Sequence, residues 1–319
     1  MASFPNQPLQ PLQPQPDGTI TIPPLDPSNH THTIIFLHGR GDNTRSFTNF
    51  LRSWSSSRGR TLMQTFPTIR WVFPQAPTRI VASSVRANTN NNNGGAGAVY
   101  PPYQTMPQWF DVWTPQNFAQ REEIQLPGLR EMVPAVRELI RREAEDPIAD
   151  PREGRGLNGR WDRVVLAGIS MGSATSLHTL LNLDVPASGG GRLGAYMGFC
   201  GRCPFRGRTL GEMRGLLGVA GAPVGGENGT ISRTPVLLEH NVDDPLVKIE
   251  NGRDARDILV GFGAQVEWRE YPSGGHWFQE PEGIDDVVSF LTRAVGVVQA
   301  PEVWTADGMD TYVLGVISG

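Results

Sequence analysis

The chain has 319 residues, of which 38% are hydrophobic, and its formal net charge at pH 7 is −4. This length and apolar content suit one large α/β domain, or two small ones, with a sizeable core. The acidic balance provides no basic stripe for nucleic acid, and no apolar run reaches the roughly 18 residues that a membrane helix needs. We therefore expect neither a nucleic-acid partner nor a transmembrane segment.

The N-terminus lacks the basic and apolar regions of a secretory signal. The chain carries two cysteines, Cys200 and Cys203, which are too few for a disulfide framework. Both features favour a reducing environment, so the expected location is cytoplasmic.

Residues 1–18 are rich in proline and glutamine, which predicts a flexible tail ahead of a folded domain at 19–298. Alternating residues at 18–22 predict an edge strand, and residues 31–37 predict a buried strand. The loop at 38–42, HGRGD, follows that strand directly, and its two glycines would let main-chain amides approach a ligand as an oxyanion hole. The alternative is a plain glycine turn in which His38 forms local hydrogen bonds.

The next stretch predicts a helix, a strand and a surface insertion. Asn43 or Thr44 can cap a helix with apolar residues at helical spacing, and residues 70–73 predict a third strand. Residues 84–105 are rich in asparagine and read as a flexible loop insertion. The aromatic segment at 106–113 suits core packing, or a pocket for an apolar group to which Trp109 and Phe110 would belong.

Residues 129–145 predict an amphipathic helix, and Pro134 fits best in its first turn, so this helix is expected to begin a few residues after 129. A short buried strand at 163–167 then leads into Gly168-Ile169-Ser170-Met171-Gly172 and a helix. A glycine-flanked serine between strand and helix is typical of a nucleophile elbow, which exposes the serine hydroxyl above the sheet. A Gly-Ser loop is the alternative, but the apolar strand before Ser170 and the apolar stripe after it favour a nucleophile.

A further strand is predicted at 193–200, followed by a long glycine-rich loop at 201–233. If that loop is a lid, Phe205, Leu216 and Leu217 are the apolar residues expected to rim the pocket. Cys200 and Cys203 lack the second ligand pair of a structural zinc site and a thioredoxin-like setting, so we expect two ordinary thiols and neither a metal nor a cofactor.

The last third predicts strands at 234–239 and 266–271, helices at 253–262 and about 283–297, and a C-terminal extension at 299–319. The first of these strands leads to Asp243 and Asp244, and the second leads to a Gly-Gly loop with His276 and Trp277. A serine nucleophile needs a base, and the base needs an acid that fixes its tautomer. We predict Ser170 as nucleophile, His276 as base and Asp244 as acid, since Pro245 stiffens the turn; Asp243 is the alternative acid.

Several segments together resemble the acyl-protein thioesterase and phospholipase/carboxylesterase family of α/β-hydrolases, over about residues 33–292. They are FLHGRGD, RWVFPQAP, MPQWFD, GISMG, DDPLV and the GGH loop. The resemblance implies an α/β-hydrolase fold, with a mostly parallel central sheet flanked by helices, and a serine esterase without cofactor. By matching positions it implies Ser170, Asp244 and His276 as the triad and the amides of Arg40 and Met171 as the oxyanion hole.

The resulting hypothesis is a hydrolase of carboxylic esters or thioesters, with S-acylated protein as a candidate substrate. A short-chain carboxylesterase or lactone hydrolase of small metabolites is the alternative, and a catalytically silent binding protein is a more remote one. Trp109, Phe110 and Trp277 are the predicted pocket residues.

Overall fold

A seven-stranded sheet lies at the centre of the protein, which a computed structural model describes over residues 13–25, 27–85, 103–154 and 156–301. The described strands, in chain order, are β1 (Ile20–Ile22), β2 (His32–Leu37), β3 (Ile69–Phe73), β4 (Thr78–Ile80), β5 (Thr105–Pro107), β6 (Val164–Ile169), β7 (Ala195–Phe199), β8 (Val236–Asn241) and β9 (Val266–Tyr271). The central sheet has the order β1-β3-β2-β6-β7-β8-β9, and β4 pairs separately with β5. Only β1 and β3 are antiparallel within the central sheet, so the predicted mostly parallel sheet is confirmed.

Helices pack on both faces of this sheet. The α-helices are α1 (Thr44–Leu51), α2 (Leu62–Thr65), α3 (Leu126–Glu145), α4 (Met171–Leu181), α5 (Leu210–Leu217), α6 (Gly229–Arg233), α7 (Ile249–Gly261) and α8 (Glu282–Phe290), the last continued by a π-helical turn at Leu291–Val295. Short 3₁₀ segments occupy Pro27–Asn29, Glu122–Gln125, Pro151–Glu153, Trp161–Arg163 and Ala187–Gly189.

Successive side chains of the central strands enter two different cores. Ile34 and Phe36 of β2 pack with α1, α2 and α8, whereas Ile35 and Leu37 pack with α3, α4, α5 and α7. Both faces of the sheet are therefore apolar, which explains why its strands read as continuous hydrophobic runs in the sequence.

The chain order places the candidate residues at one edge of the sheet. From β2 the chain passes to β3 on one side and later returns to β6 on the other side, so a topological switch point lies between β2 and β6. In open α/β sheets, ligands bind at such points, outside the carboxyl ends of the strands. The loops after β2, β6, β7, β8 and β9 all emerge at this edge.

The helix α1 begins at the predicted place, and its cap is settled by one hydrogen bond. Asn43 adopts an extended conformation, and its side chain accepts from the Ser46 amide at 3.0 Å. Thr44 instead donates its hydroxyl to the Gly18 carbonyl. Asn43 is therefore the N-cap of α1.

The prediction for α3 was wrong at its start. The helix begins at Leu126, and Pro127 occupies the first turn, where a proline needs no amide partner. Pro134 instead lies inside the helix, on its exposed side. Because Arg130, whose carbonyl loses its donor there, is an exposed residue, the helix tolerates this proline.

Residues 201–233 were predicted as a long loop, but they contain α5 and α6. A capping box starts α5, since the Thr209 hydroxyl accepts from the Glu212 amide and the Glu212 carboxylate accepts from the Thr209 amide. The proposed lid residues are wrong too. Phe205 and Leu217 are buried in the core beneath α3 and α4, and Leu216 packs against that core, so none of them lines the pocket described below.

Several predicted segments lie wholly or partly outside the described residues. These are residues 1–12 of the tail, 86–102 of the asparagine-rich insertion and 302–319 of the C-terminal extension. The extension is described as far as residue 301, and the Ala300 amide donates to the Thr65 carbonyl at 2.8 Å. In the described ranges, no helix has the length and apolar character to cross a membrane.

Candidate active site

The turn between β6 and α4 holds Ser170 in a strained conformation. Its backbone has φ 57° and ψ −120°, a region that non-glycine residues seldom adopt. The Ser170 amide donates to the Phe199 carbonyl at 2.9 Å, which ties the turn to β7. Strain that is maintained by the surrounding structure is typical of functional sites, and here it lifts the hydroxyl above the sheet edge.

Close packing explains the two glycines around Ser170. A Cβ on Gly168 would lie 2.5 Å from the carbonyl carbon and oxygen of Gly172, and a Cβ on Gly172 would lie 2.4 Å from the Leu37 carbonyl oxygen. These contacts are with backbone atoms, which cannot rotate away. The turn therefore requires glycine at both positions because β2, β6 and α4 nearly touch there.

Gly172→Ala is therefore expected to lower the free energy of unfolding by about 3 kcal/mol, the cost of forcing an added methyl group into a packed interior. Gly215→Ala is the matched control, because Gly215 lies in α5 with open space around its would-be Cβ. That variant should gain up to about 1 kcal/mol from helix propensity. Thermal denaturation of both variants measures the contrast, and equal melting temperatures would contradict the packing argument.

The His276 ring connects Ser170 to Asp244. Its Nε2 lies 2.8 Å from the Ser170 Oγ, and its Nδ1 lies 2.7 Å from the Asp244 Oδ2. A carboxylate can only accept, so Nδ1 carries the proton and Nε2 accepts from the serine hydroxyl. This is the arrangement in which an imidazole can take a proton from serine.

The two adjacent aspartates have different partners. Asp244 is buried, and its Oδ1 accepts from the amides of Leu246 and Val247 at 2.8 and 2.9 Å. Burial alone would raise the pKa of Asp244, but hydrogen bonds from His240 and His276 outweigh it and hold that pKa below its usual range. Asp244 is therefore ionised beside His276, and the structure separates the two acids that the sequence left open.

Asp243 fixes the backbone of the loop that carries His276. Its carboxylate accepts from the Gly275 amide at 2.8 Å and from the Gly274 amide at 3.4 Å. Gly274 and Gly275 have φ values of 142° and 63°, which only glycine adopts without strain. Asp243, Gly274 and Gly275 thus act together to set the position of His276.

Sequence reasoning missed two further residues around this loop. Asn241 donates from Nδ2 to the carbonyls of Gly275 and Trp277 at 2.9 and 2.6 Å. The buried His240 places its Nε2 2.6 Å from the Val247 carbonyl and 3.3 Å from the Asp244 Oδ2. The available signal was that both polar residues end a buried strand at the edge where Asp244 follows.

The loop after β2 is fixed by His38. The Ala76 amide donates to the His38 Nε2 at 3.1 Å, so the proton lies on Nδ1, which donates to the Gly39 carbonyl at 2.8 Å. Burial lowers the pKa of His38, which keeps this ring neutral. The local hydrogen bonding considered for His38 is therefore present, and it shapes the loop that carries Arg40.

Both predicted oxyanion-hole amides lie at this edge of the sheet. Met171 is the first residue of α4, where an amide has no acceptor within its own helix. For the Arg40 amide, no acceptor is found among the residues that the structure describes. Arg40 and Met171 also line the cavity above Ser170, so their amides are available to an oxygen atom bound there.

A cavity of about 380 Å³ opens above Ser170 and His276. Its walls are mostly apolar and include Met106, Phe110, Val112, Pro115, Phe118, Ile169, Leu246, Val247 and Trp277. Phe110 and Trp277 thus lie where the sequence predicted them. Trp109 does not line the cavity: it is fully buried, and its indole N–H donates to the His38 carbonyl at 2.8 Å, so it supports the loop from behind.

The two cysteines are free and buried. Cys200, Asp244 and His276 bring ligand-type atoms within 4.8 Å of one another. These residues do not suit a metal, because both His276 nitrogens are engaged and the Cys200 thiol donates to the Trp277 carbonyl at 3.2 Å. Burial raises the pKa of Cys200 and raises that of Cys203 to about 12, so both remain thiols rather than the thiolates that bind metals.

Comparisons with known proteins show which proteins this chain resembles. The chain is 27% identical over 270 residues to acyl-protein thioesterase 1 of Gibberella zeae, an alignment that covers 83% of this chain and 92% of the relative. It is 25% identical over 281 residues to acyl-protein thioesterase 1 of Mycosarcoma maydis, covering 87% and 97%. The crystal structure of Zea mays acyl-protein thioesterase 2 superposes with a TM-score of 0.59 at 24% identity, covering 87% of this chain and 99% of that one, which shows a shared fold.

The sequence model of the phospholipase/carboxylesterase family matches residues 24–294, which is most of the chain. The matched region contains the central sheet apart from β1, the elbow and the loops that carry Asp244 and His276. The chain therefore belongs to the phospholipase/carboxylesterase family, a family of ester hydrolases with the α/β-hydrolase fold.

Proposed function

We propose that this protein hydrolyses carboxylic esters or thioesters through a covalent acyl-serine intermediate. The observation that carries the proposal is the continuous chain of hydrogen bonds from Ser170 through His276 to Asp244, which opens into an apolar cavity. Nucleophile, base and orienting acid are in contact, as acyl transfer requires.

The first half of the reaction acylates Ser170. His276 Nε2 takes the hydroxyl proton while Oγ attacks the acyl carbon, which gives a tetrahedral intermediate with a negatively charged oxygen. The amides of Arg40 and Met171 donate to this oxygen, and a single such donor contributes about 3 kcal/mol to the lowering of the barrier. The C–O or C–S bond then breaks, and His276 returns its proton to the leaving alcohol or thiol.

The second half releases the acid. Water attacks the acyl-serine carbonyl while His276 takes a proton from it, and Ser170 leaves with that proton when the second tetrahedral intermediate collapses. Asp244 remains ionised throughout and stabilises the imidazolium at both stages. No cofactor is needed for these steps.

The curated relatives named acyl-protein thioesterase make S-acylated protein the first candidate substrate. A second candidate, a short-chain carboxylic ester or lactone, is favoured by the cavity itself. Its volume of about 380 Å³ is near the lower end of ligand pockets, which run from about 300 to 1,000 Å³. A cytoplasmic location stays a prediction from the sequence and suits either substrate.

The test is labelling with a fluorophosphonate probe, mapped by peptide mass spectrometry, together with hydrolysis of p-nitrophenyl esters and acyl thioesters of increasing chain length. Label on Ser170 with preference for long-chain thioesters would support a protein deacylase. Label on Ser170 with preference for short chains would support a carboxylesterase. A folded sample with neither label nor turnover would contradict the hydrolase proposal and favour a binding protein.

A further inference from the structure

A buried arginine, Arg202, lies in the wall of the substrate cavity and forms no ion pair with any residue that the structure describes. Arg202 follows β7, is 7% exposed and lines the same cavity as Ser170 and His276. Its Nη2 donates to the Gln125 side-chain oxygen at 2.7 Å. Within the described part of the chain, no carboxylate lies within ion-pair distance of its guanidinium.

Two aromatic rings hold this guanidinium at the cavity wall. Its central carbon lies 4.2 Å from the centre of the Phe118 ring and 5.6 Å from that of Phe110, and both rings line the cavity. Cation–π contacts of this kind orient an arginine without neutralising its charge. The group is therefore fixed in direction and still has unused N–H donors.

The nearest acidic influence is Glu122, whose carboxylate accepts from the Phe205 amide at 2.7 Å. Burial lowers the pKa of Arg202 to about 10 and Glu122 acts in the opposite direction, so the group is charged at neutral pH. No Arg202 nitrogen is both shielded from solvent and without a partner, so its remaining N–H groups are open to the cavity, where a substrate group can accept from them.

Each of the other buried arginines has more acceptors than Arg202, and Arg60 donates to the carbonyls of Gln64 and Ala300. Arg70 donates to the carboxylates of Glu143 and Glu153 and to the Glu153 carbonyl. Arg214 donates to three main-chain carbonyls. Arg202 has one neutral acceptor although it is as buried as these side chains, and it faces the substrate cavity, whose wall also includes the less buried Arg40.

We propose that Arg202 binds a carboxylate on the substrate, so that the preferred substrate is an ester or thioester with a carboxylate distal to the bond that is cleaved. This inference rests on the proposed hydrolase function and narrows its substrate class. A guanidinium binds a carboxylate through two parallel hydrogen bonds, which would place the carbonyl carbon reproducibly over Ser170. The other charged residues of the wall are Arg40, whose Nε is bound to Gln108, and Asp42, which is partly exposed.

The test compares matched pairs of p-nitrophenyl esters that differ only in a terminal carboxylate: the monoester of adipate against hexanoate, and that of suberate against octanoate. For the wild-type protein we expect kcat/KM to be about 10-fold or more higher for the carboxylate ester, because hydrogen bonds between a guanidinium and a carboxylate are stronger than bonds between neutral groups. A ratio at or below one in both pairs would overturn the proposal, whether or not any variant folds.

Arg202→Met should collapse this ratio, mainly through a higher KM for the carboxylate ester, and Arg202→Lys should restore part of it. The control is Arg206→Met, which removes an exposed arginine of the same segment that is paired with Asp254. That variant should keep the wild-type ratio. An unchanged ratio in a folded, probe-labelled Arg202→Met protein would also reject the assignment. If instead neither ester of a pair is hydrolysed, the hydrolase proposal itself fails, which is a distinct result.

Discussion

Ser170→Ala is expected to lower kcat/KM for ester hydrolysis by roughly four to six orders of magnitude, the scale of losing a catalytic nucleophile. The Ser170 Oγ is the atom that would form the bond to the acyl carbon, and its hydrogen bond to the His276 Nε2 has no substitute. The measurement is steady-state hydrolysis of a short-chain p-nitrophenyl ester, with fluorophosphonate labelling as a second readout.

Melting temperature serves as the control for Ser170→Ala. An alanine adopts the strained backbone of the elbow no more easily than serine does, so the variant should unfold close to the wild-type temperature and still bind substrate. A folded Ser170→Ala protein that keeps more than about a hundredth of the activity would show that the acyl group is transferred elsewhere, and it would remove the basis of the proposed mechanism.

Asp244→Asn is expected to lower kcat by about 10⁴-fold, because an amide in this place can donate to the His276 Nδ1 and so favours the wrong tautomer of the ring. The buried amide would also replace a carboxylate that accepts from His276 and from two main-chain amides.

Asp243→Asn is the matched comparison for that variant. Asp243 accepts from the Gly274 and Gly275 amides, and an asparagine side-chain oxygen can still accept from one of them. We expect kcat to fall by about 10-fold or less, because His276 would be displaced but would remain intact as a base. If Asp243→Asn were the more damaging change, the division of roles between the two acids would be wrong.

The fold and the position of Ser170 in a nucleophile elbow could be predicted mostly from local sequence signals. Buried parallel strands need unbroken apolar runs, and a nucleophile elbow needs a glycine on each side of its serine. Both features can therefore be recognised in the sequence. The chain order of Ser170, Asp244 and His276 likewise follows from which loops leave the carboxyl edge of a parallel sheet. The sequence limited the cap of α1 to Asn43 or Thr44, because capping depends on neighbours three residues away.

Other features depend on partners that are distant in the chain. The helix α3 accepts Pro134 because that side of the helix faces water. The capping box of α5 is an exception, because it is a local signal, but the glycines around it favoured a loop. Trp109 sits beside Phe110 in sequence, yet it is buried behind the loop after β2 while Phe110 lines the cavity. Which of two neighbouring aromatic side chains is buried and which one lines a cavity depends on how the folded chain packs.

Sequence alone was enough to predict the fold class and to single out Ser170 and His276 as candidate nucleophile and base, because strand periodicity, glycine spacing and loop order are local and linear. Only the tertiary structure shows which aspartate contacts His276, which residues fix the loop that carries His276, and which buried charge faces the cavity. Asp243 and Asp244 are adjacent in the chain, and their carboxylates diverge only because the turn after β8 directs one toward His276 and the other toward the backbone of Gly275. In the sequence Arg202 is an ordinary basic residue, and only the structure shows that it is buried against two aromatic rings, with no ion pair to a carboxylate among the described residues.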